Sequence, residues 1–171
     1  MSQAACRAAQ RTGAALIAGL SLAFSAGAAT AVADPASTAQ APAEGVIRLK
    51  SAYGFDDTVT RIKADIAMKG IQFFIEIDQS KLGDGAKIAL APSKLLLFGN
   101  PPLGVQFLTA NPYAGLDWPV RILVHQEADG SVWVAYTDFK FIAARYQLKD
   151  RDAQLKMAGE VAGSIAGSVV R

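Results

Sequence analysis

Apolar and polar residues alternate along several short segments of the chain, and this period of two predicts strands. In residues 71–78, one face would carry Ile71, Phe73, Ile75 and Ile77, and the other Gln72, Phe74, Glu76 and Asp78. Further strands are predicted over residues 46–50, 95–98, 120–126 and 132–136. The turn pair Asp129-Gly130 separates the last two strands, so they are expected to form an antiparallel hairpin.

Other segments have a helical period near 3.6 residues. A helix is predicted over residues 57–69, with its apolar positions on one face at Val59, Ile62 and Ile66. Asn100 before Pro101 is typical of a helix start, which predicts a short helix to about residue 110. Asp138 is expected to cap a helix that reaches about residue 148, and a last helix follows the polar residues 149–152. Residues 79–93 are predicted to be a loop with a short helical turn.

The order of these elements predicts an α+β fold. The order is a strand, a helix, four strands with a short helix inserted, and then helices, and this pattern favours a mainly antiparallel sheet with helices on one face. The expected architecture is a two-layer sandwich. Residues 46–171 have the size of a single domain with one hydrophobic core.

Three glycines recur every four residues along the last helix, at Gly159, Gly163 and Gly167. Glycine costs about 1 kcal/mol per helical position relative to alanine, so the stripe indicates close approach of another backbone. Two interpretations are open: the stripe packs on the sheet of its own chain, or it is the contact between two helices in a homodimer.

The first 33 residues have the features of a secretory signal peptide. Arg7 and Arg11 precede an uncharged stretch over residues 12–33, which ends in Ala31-Val32-Ala33. This pattern predicts cleavage near Ala33 and export to the periplasm or the medium, without stable membrane insertion afterwards. An uncleaved membrane anchor is the alternative, although alanine, glycine and serine make the segment weakly hydrophobic. Residues 34–45 contain two prolines and no large apolar residue, which predicts a flexible leader.

Removal of the signal peptide changes the electrostatic interpretation. Arg7 and Arg11 account for the whole net charge of +2, so the remaining chain has equal numbers of basic and acidic side chains. A neutral chain without a basic cluster is not expected to bind nucleic acid. The only cysteine, Cys6, also lies in the signal segment, so neither a disulfide nor a thiolate site is expected in the domain.

Few residues have the pattern of a catalytic or metal site. His125 is the only histidine, and one histidine without cysteine does not make a typical zinc site, so no metal or cofactor is expected. The sequence has no G-x-S-x-G motif to present a serine nucleophile. The turn Gly99-Asn100-Pro101-Pro102 leads from a strand into a helix, but its two prolines lack the backbone N–H groups that a phosphate-binding loop uses.

Several short motifs together resemble the domain of unknown function (DUF) 302 family. They include the turn Phe98-Gly99-Asn100-Pro101 and the segments 53–56, 116–119 and 130–136. The resemblance implies a TATA-binding-protein-like strand-helix-four-strand-helix sandwich and a dimer. It implies no DNA binding, since a fold does not fix a function. Histidines common in the family are replaced here, by Gln79 after the second strand and by Tyr146 in the penultimate helix.

Two functions remain open. The first is a non-enzymatic exported domain, a homodimer that binds a small-molecule or peptide ligand or another partner. The second is a hydrolase or isomerase whose site gathers at one end of the sheet around Asp78, Asn100, Asp117 and Tyr136. The first is favoured, because no set of acid, base and nucleophile is apparent in the sequence.

Overall fold

The computed structural model of the protein describes residues 43–170, so the predicted signal peptide and most of the predicted leader lie outside the described residues. The five strands are β1 (Val46–Lys50), β2 (Gln72–Asp78), β3 (Ser93–Gly99), β4 (Val120–Gln126) and β5 (Val132–Thr137). The five α-helices are α1 (Phe55–Met68), α2 (Gln79–Gly85), α3 (Pro101–Ala110), α4 (Phe139–Tyr146) and α5 (Asp152–Gly167). A 3₁₀ helix, Pro112–Asp117, joins α3 to β4.

The strands form one sheet in the order β1-β5-β4-β3-β2, and every neighbouring pair is antiparallel. The predicted β4–β5 hairpin is confirmed. Gly130 in its turn has φ of 80°, a left-handed conformation that glycine adopts without a steric penalty. β2 and β1 are the two edge strands.

Helices cover one face of this sheet, which confirms the predicted two-layer α+β sandwich. Alternate residues of the central strands face the helices, and Leu96, Ile122, Val124 and Val134 have no exposed surface. From the helical layer, α1 and α5 bury their apolar residues against them, including Ile62, Ile66, Ala162 and Ile165. This layer is the hydrophobic core.

The predicted alternation of β2 is wrong at its centre. A β-bulge between Phe73 and Ile75 shifts the register, so Phe73 pairs with Phe98 while Ile75 pairs with Leu97. One extra residue on a bulged strand turns the following side chains to the opposite faces. Ile75 and Ile77 therefore lie on the face away from the helices, and Glu76 lies on the covered face.

Glu76 has partners on that covered face. Its carboxylate accepts a hydrogen bond from Lys63 of α1 at 2.8 Å and forms an ion pair with Lys94 of β3 at 2.9 Å. The hydrogen bonds from the two ammonium groups lower the pKa of Glu76. The bulge thus converts a residue predicted to face solvent into a link between α1 and the sheet.

Side-chain caps start the helices where the sequence predicts them. Asn100 Oδ1 accepts a hydrogen bond from the Leu103 N–H at 3.2 Å, and Asp138 Oδ1 accepts one from the Lys140 N–H at 2.9 Å. Helix α4 ends at Tyr146, two residues before its predicted end, because Gln147 adopts the left-handed conformation with φ of 50°.

Candidate functional site

Trp118 joins two motifs that are far apart in the sequence. Its indole lies against Gly99 at the end of β3 and against Gly104 in α3. A Cβ atom at position 99 would lie 2.7 Å from the indole, and one at position 104 would overlap it. The Trp118 indole can therefore pack against the backbone only because positions 99 and 104 have no side chain.

Asn100 and Trp118 also line a cavity of about 360 Å³ beside α5. Its other walls are mostly apolar and include Leu103, Met157 and Val161. The Asn100 side-chain oxygen is already used to cap α3. In this position Asn100 is first of all a structural residue.

Asp117 stabilises the connection between the 3₁₀ helix, β4 and α4. Its side chain is only 6% exposed and forms ion pairs with Arg121 and, at 3.3 Å, with Arg145. The Tyr146 hydroxyl donates a further hydrogen bond to Asp117 Oδ2 at 2.6 Å. Three donors on one buried carboxylate leave little capacity for a ligand, so Asp117 acts here as a structural anchor.

Asp78 lies at the opposite end of the sheet from Asn100. It pairs with Lys94 at the start of β3, whereas Gln72 pairs with Gly99 at the end of that strand. Six residues of strand separate the two positions by roughly 20 Å. The side chain of Asp78 accepts a hydrogen bond from the Lys81 N–H at 3.2 Å and so caps α2.

The four residues expected around a loop-end enzyme site are therefore not brought together. Asn100 and Asp117 share one end of the sheet, Asp78 lies at the other, and Tyr136 pairs with Ile122 inside β4. The physical reason is register: the sequence shows which residues end a strand, but only the pairing shows which ends meet.

Tyr136 lies in a different environment, a groove of about 680 Å³ bounded by α4, α5 and the sheet. We call it the α4–α5 groove, and its apolar walls include Ile47, Phe139, Ala143 and Leu155. Tyr136 is only 9% exposed. Burial raises the pKa of Tyr136, and the charge of Asp138 raises it further, so the phenol is neutral near pH 7.

The glycine stripe of α5 faces its own chain in two of its three positions. A Cβ at Gly159 would meet the Phe139 side chain at 3.7 Å, and one at Gly163 would meet the Tyr136 hydroxyl at 3.2 Å. A Cβ at Gly167 would meet no atom within 4 Å. Gly159 also lines the α4–α5 groove, a role that the sequence pattern did not reveal.

The second face of the sheet has side chains that are at most partly buried. We call it the open face. Three rows cross it, as the strand pairing shows. The central row is Arg48, Ala135, Leu123, Leu95 and Ile77; Trp133, His125 and Ser93 lie beside it in one direction, and Arg121, Leu97 and Ile75 in the other.

A group of polar side chains surrounds Trp133 on the open face. Arg48 stacks 3.6 Å from the centre of the Trp133 ring and forms an ion pair with Glu127 at 2.6 Å. Burial among its neighbours lowers the pKa of His125, and the charge of Arg48 lowers it further. No cluster of three or more His, Cys, Asp or Glu side chains within residues 43–170 could hold a metal ion.

Comparison with known proteins identifies the family and the fold. The sequence model described as domain of unknown function DUF302 matches residues 47–166. The crystal structure of an uncharacterized conserved DUF302 protein from Bacillus stearothermophilus superposes with a TM-score of 0.67 at 13% identity, covering 74% of this chain and 99% of that one. At that identity the likeness concerns the fold.

Several curated proteins with similar sequence are named as fluoride-specific ion channels. The fluoride-specific ion channel FluC 1 of Brucella suis is 29% identical over 104 residues, which are 61% of this chain and 41% of the relative. FluC 1 of Brucella abortus matches at the same identity over 38% of its length. The chain thus spans about two fifths of these relatives. Within residues 43–170, no helix is both long enough and apolar enough to cross a membrane.

Proposed function

The chain belongs to the DUF302 family, and from this premise we propose that it is an exported, non-enzymatic interaction module that pairs with a second copy through the open face of its sheet. The observation that carries the proposal is the cluster of apolar side chains on that face, in which Leu95, Leu97 and Leu123 are only partly buried. Antiparallel sheets usually alternate apolar and polar residues when one face is left in water.

The size of the open face suits a stable dimer. Five strands about 4.8 Å apart, each about seven residues long at roughly 3.3 Å per residue, give a flat area of about 500 Å². Side-chain relief increases the accessible area above this value. Each partner in a standard interface buries roughly 800 Å², so the face is of the right order.

The charge of the chain supports a second copy as the occupant. Without Arg7 and Arg11 the formal net charge is zero, so two copies do not repel each other. A Cβ atom added at Gly159 or Gly163 would contact side chains of the same chain. This favours packing of the glycine stripe within the chain over a contact between two α5 helices. The sheet face replaces the α5 stripe as our proposed contact.

The relatives support the description as a module. Similar sequence accounts for 38% to 41% of the Brucella FluC proteins, so in those proteins it accompanies a further stretch of chain. A unit of similar sequence that recurs within a longer protein fits an interaction domain. The four residues expected for the alternative, a hydrolase or isomerase, are not brought together in one site.

The test is the mass of the protein purified after export from a Gram-negative host. Light scattering is expected to give a dimer, and mass spectrometry is expected to give a chain that begins at Asp34. Leu95→Glu would place a charge in the centre of the contact and is expected to give a folded monomer. Leu116→Glu is the matched control, because Leu116 is 66% exposed and lies in the 3₁₀ helix outside the open face.

Two results would contradict the proposal. One is a wild-type monomer at micromolar concentration. The other is a Leu95→Glu variant that stays dimeric, which would show that the contact lies elsewhere. A chain that still contains residues 1–33 would contradict the export prediction alone.

A further inference from the structure

The α4–α5 groove has the size and composition of a ligand site. Its volume of about 680 Å³ lies within the usual range of roughly 300–1,000 Å³ for small-molecule pockets. Its lining is mainly apolar, with Phe139 and Leu155 on opposite helices and Ile47 from β1. These residues belong to the helix-covered side of the sheet, so the groove is independent of the proposed pairing of open faces.

Tyr136 supplies a polar group in this groove. Its side chain is only 9% exposed, and its hydroxyl, which has no hydrogen-bond partner among residues 43–170, is accessible from the groove. A hydroxyl that is accessible from an apolar groove and has no protein partner is available to hydrogen-bond a molecule bound there. A neutral phenol can donate one hydrogen bond to an oxygen acceptor.

Gly159 keeps the groove open. A Cβ there would make only ordinary contacts with Phe139, at 3.7 Å and beyond, so packing does not require glycine. Glycine nevertheless weakens a helix compared with alanine. The absence of a side chain at this position makes sense if the space beside it is occupied by a ligand.

The rim of the groove sets the charge of that ligand. Three carboxylates, Asp138, Asp152 and Glu160, face two ammonium groups, Lys140 and Lys156. The rim therefore has one excess negative charge and disfavours an anion. An apolar body, an oxygen acceptor and no negative charge together describe the chemistry of the ligand.

We propose that the α4–α5 groove binds a neutral or cationic amphiphile, whose apolar part lies between Phe139 and Leu155 and whose oxygen acceptor is hydrogen-bonded by the Tyr136 hydroxyl. Gly159 provides the room for the apolar part. The opening between the two helices gives the head group access to the charged rim.

Nile red is a suitable probe, because it is uncharged, largely apolar and has a carbonyl oxygen. Its fluorescence is expected to rise saturably with the purified full-length protein after export. Gly159→Leu fills the groove and is expected to weaken binding at least about tenfold. Gly167→Leu makes the same change two turns further along the same helix, where nothing lies within 4 Å, and is expected to leave binding unchanged.

Two further measurements identify the chemistry. Tyr136→Phe removes only the hydroxyl and is expected to weaken binding roughly fivefold, the usual effect of one hydrogen bond. Decanamide, decyltrimethylammonium and decanoate share one chain length and differ in head-group charge. The amide and the cation are expected to displace Nile red at concentrations at least about tenfold lower than decanoate.

Several outcomes would overturn the proposal. Wild-type protein that does not bind Nile red, or a folded Gly159→Leu variant that binds as wild type does, excludes the groove as the site. Displacement by decanoate as strong as by decanamide excludes the assigned ligand class. If circular dichroism shows that Gly159→Leu does not fold, Ala143→Leu narrows the groove from α4, and unchanged binding by that variant is equally decisive.

Discussion

Both faces of the sheet contain leucine side chains, yet only one of the two faces is buried. Leu96 has no exposed surface, whereas its neighbours Leu95 and Leu97 point to the open face and stay partly exposed. The difference lies in what packs on each face, since α1 and α5 cover only one of them. A cluster of leucines on one face of a sheet therefore indicates a contact surface, without showing whether the contact lies within the chain or with another molecule.

The largest effect is expected from truncating the two neighbouring leucines separately. Leu96→Ala removes fully buried methyl groups and is expected to lower the free energy of unfolding by about 2–5 kcal/mol. Leu95→Ala is expected to cost less than about 1 kcal/mol in dilute monomer, because its side chain is already partly exposed. Urea denaturation of the two variants measures both values.

The same two variants also test whether a second copy of the chain covers the open face. If open faces pair, the cost of Leu95→Ala rises with protein concentration while that of Leu96→Ala does not. Equal costs for the two variants in dilute protein would show that the open face is covered within the monomer.

An intermediate effect is expected at Gly104, where the covered layer closes around Trp118. Gly104→Ala places a methyl group into the space of the indole, and overpacking of this kind costs about 1–3 kcal/mol. Gly167→Ala is the control, because the added methyl group meets nothing and alanine favours the helix by up to about 1 kcal/mol. The melting temperature is therefore expected to fall in Gly104→Ala and to rise in Gly167→Ala. A Gly104→Ala variant as stable as wild type would show that Trp118 can move aside.

The smallest effect is expected from His125 on the open face. Its pKa in the folded protein is lowered by burial and by Arg48, so the unfolded chain binds the proton more tightly. Its contribution to stability is therefore intact above pH of about 6.5, the ordinary value, and is lost as the pH falls towards the folded pKa. Melting temperatures from pH 7.5 down to pH 5 should fall less in His125→Gln than in wild type, and parallel curves would contradict this.

Much of the fold follows from local patterns in the sequence. The α1 positions Val59, Ile62 and Ile66 are buried as their spacing predicts, and Asn100 and Asp138 cap their helices. These features depend on residues within a few positions of each other. The sequence does not indicate the β2 bulge, because residues 71–78 alternate without a visible interruption and only pairing with β3 shows the extra residue.

The candidate site depends on contacts between distant segments. The sequence predicts Tyr136 as a candidate residue, but its neighbours in the groove come from α4 and α5, and no spacing rule relates them to β5. The repeat at Gly159 and Gly163 was a visible signal for close approach. Only the fold shows which groups lie beside these glycines, namely the Phe139 side chain and the Tyr136 hydroxyl.

The bulge in β2 has a consequence for how copies of this protein can meet. β2 is an edge strand, and a regular edge exposes a row of unpaired N–H and C=O groups to which a foreign strand can add. The irregularity at Phe73 to Ile75 breaks that row, and the opposite edge is short and has basic side chains at Arg48 and Lys50. Both edges thus discourage strand addition and fibril growth.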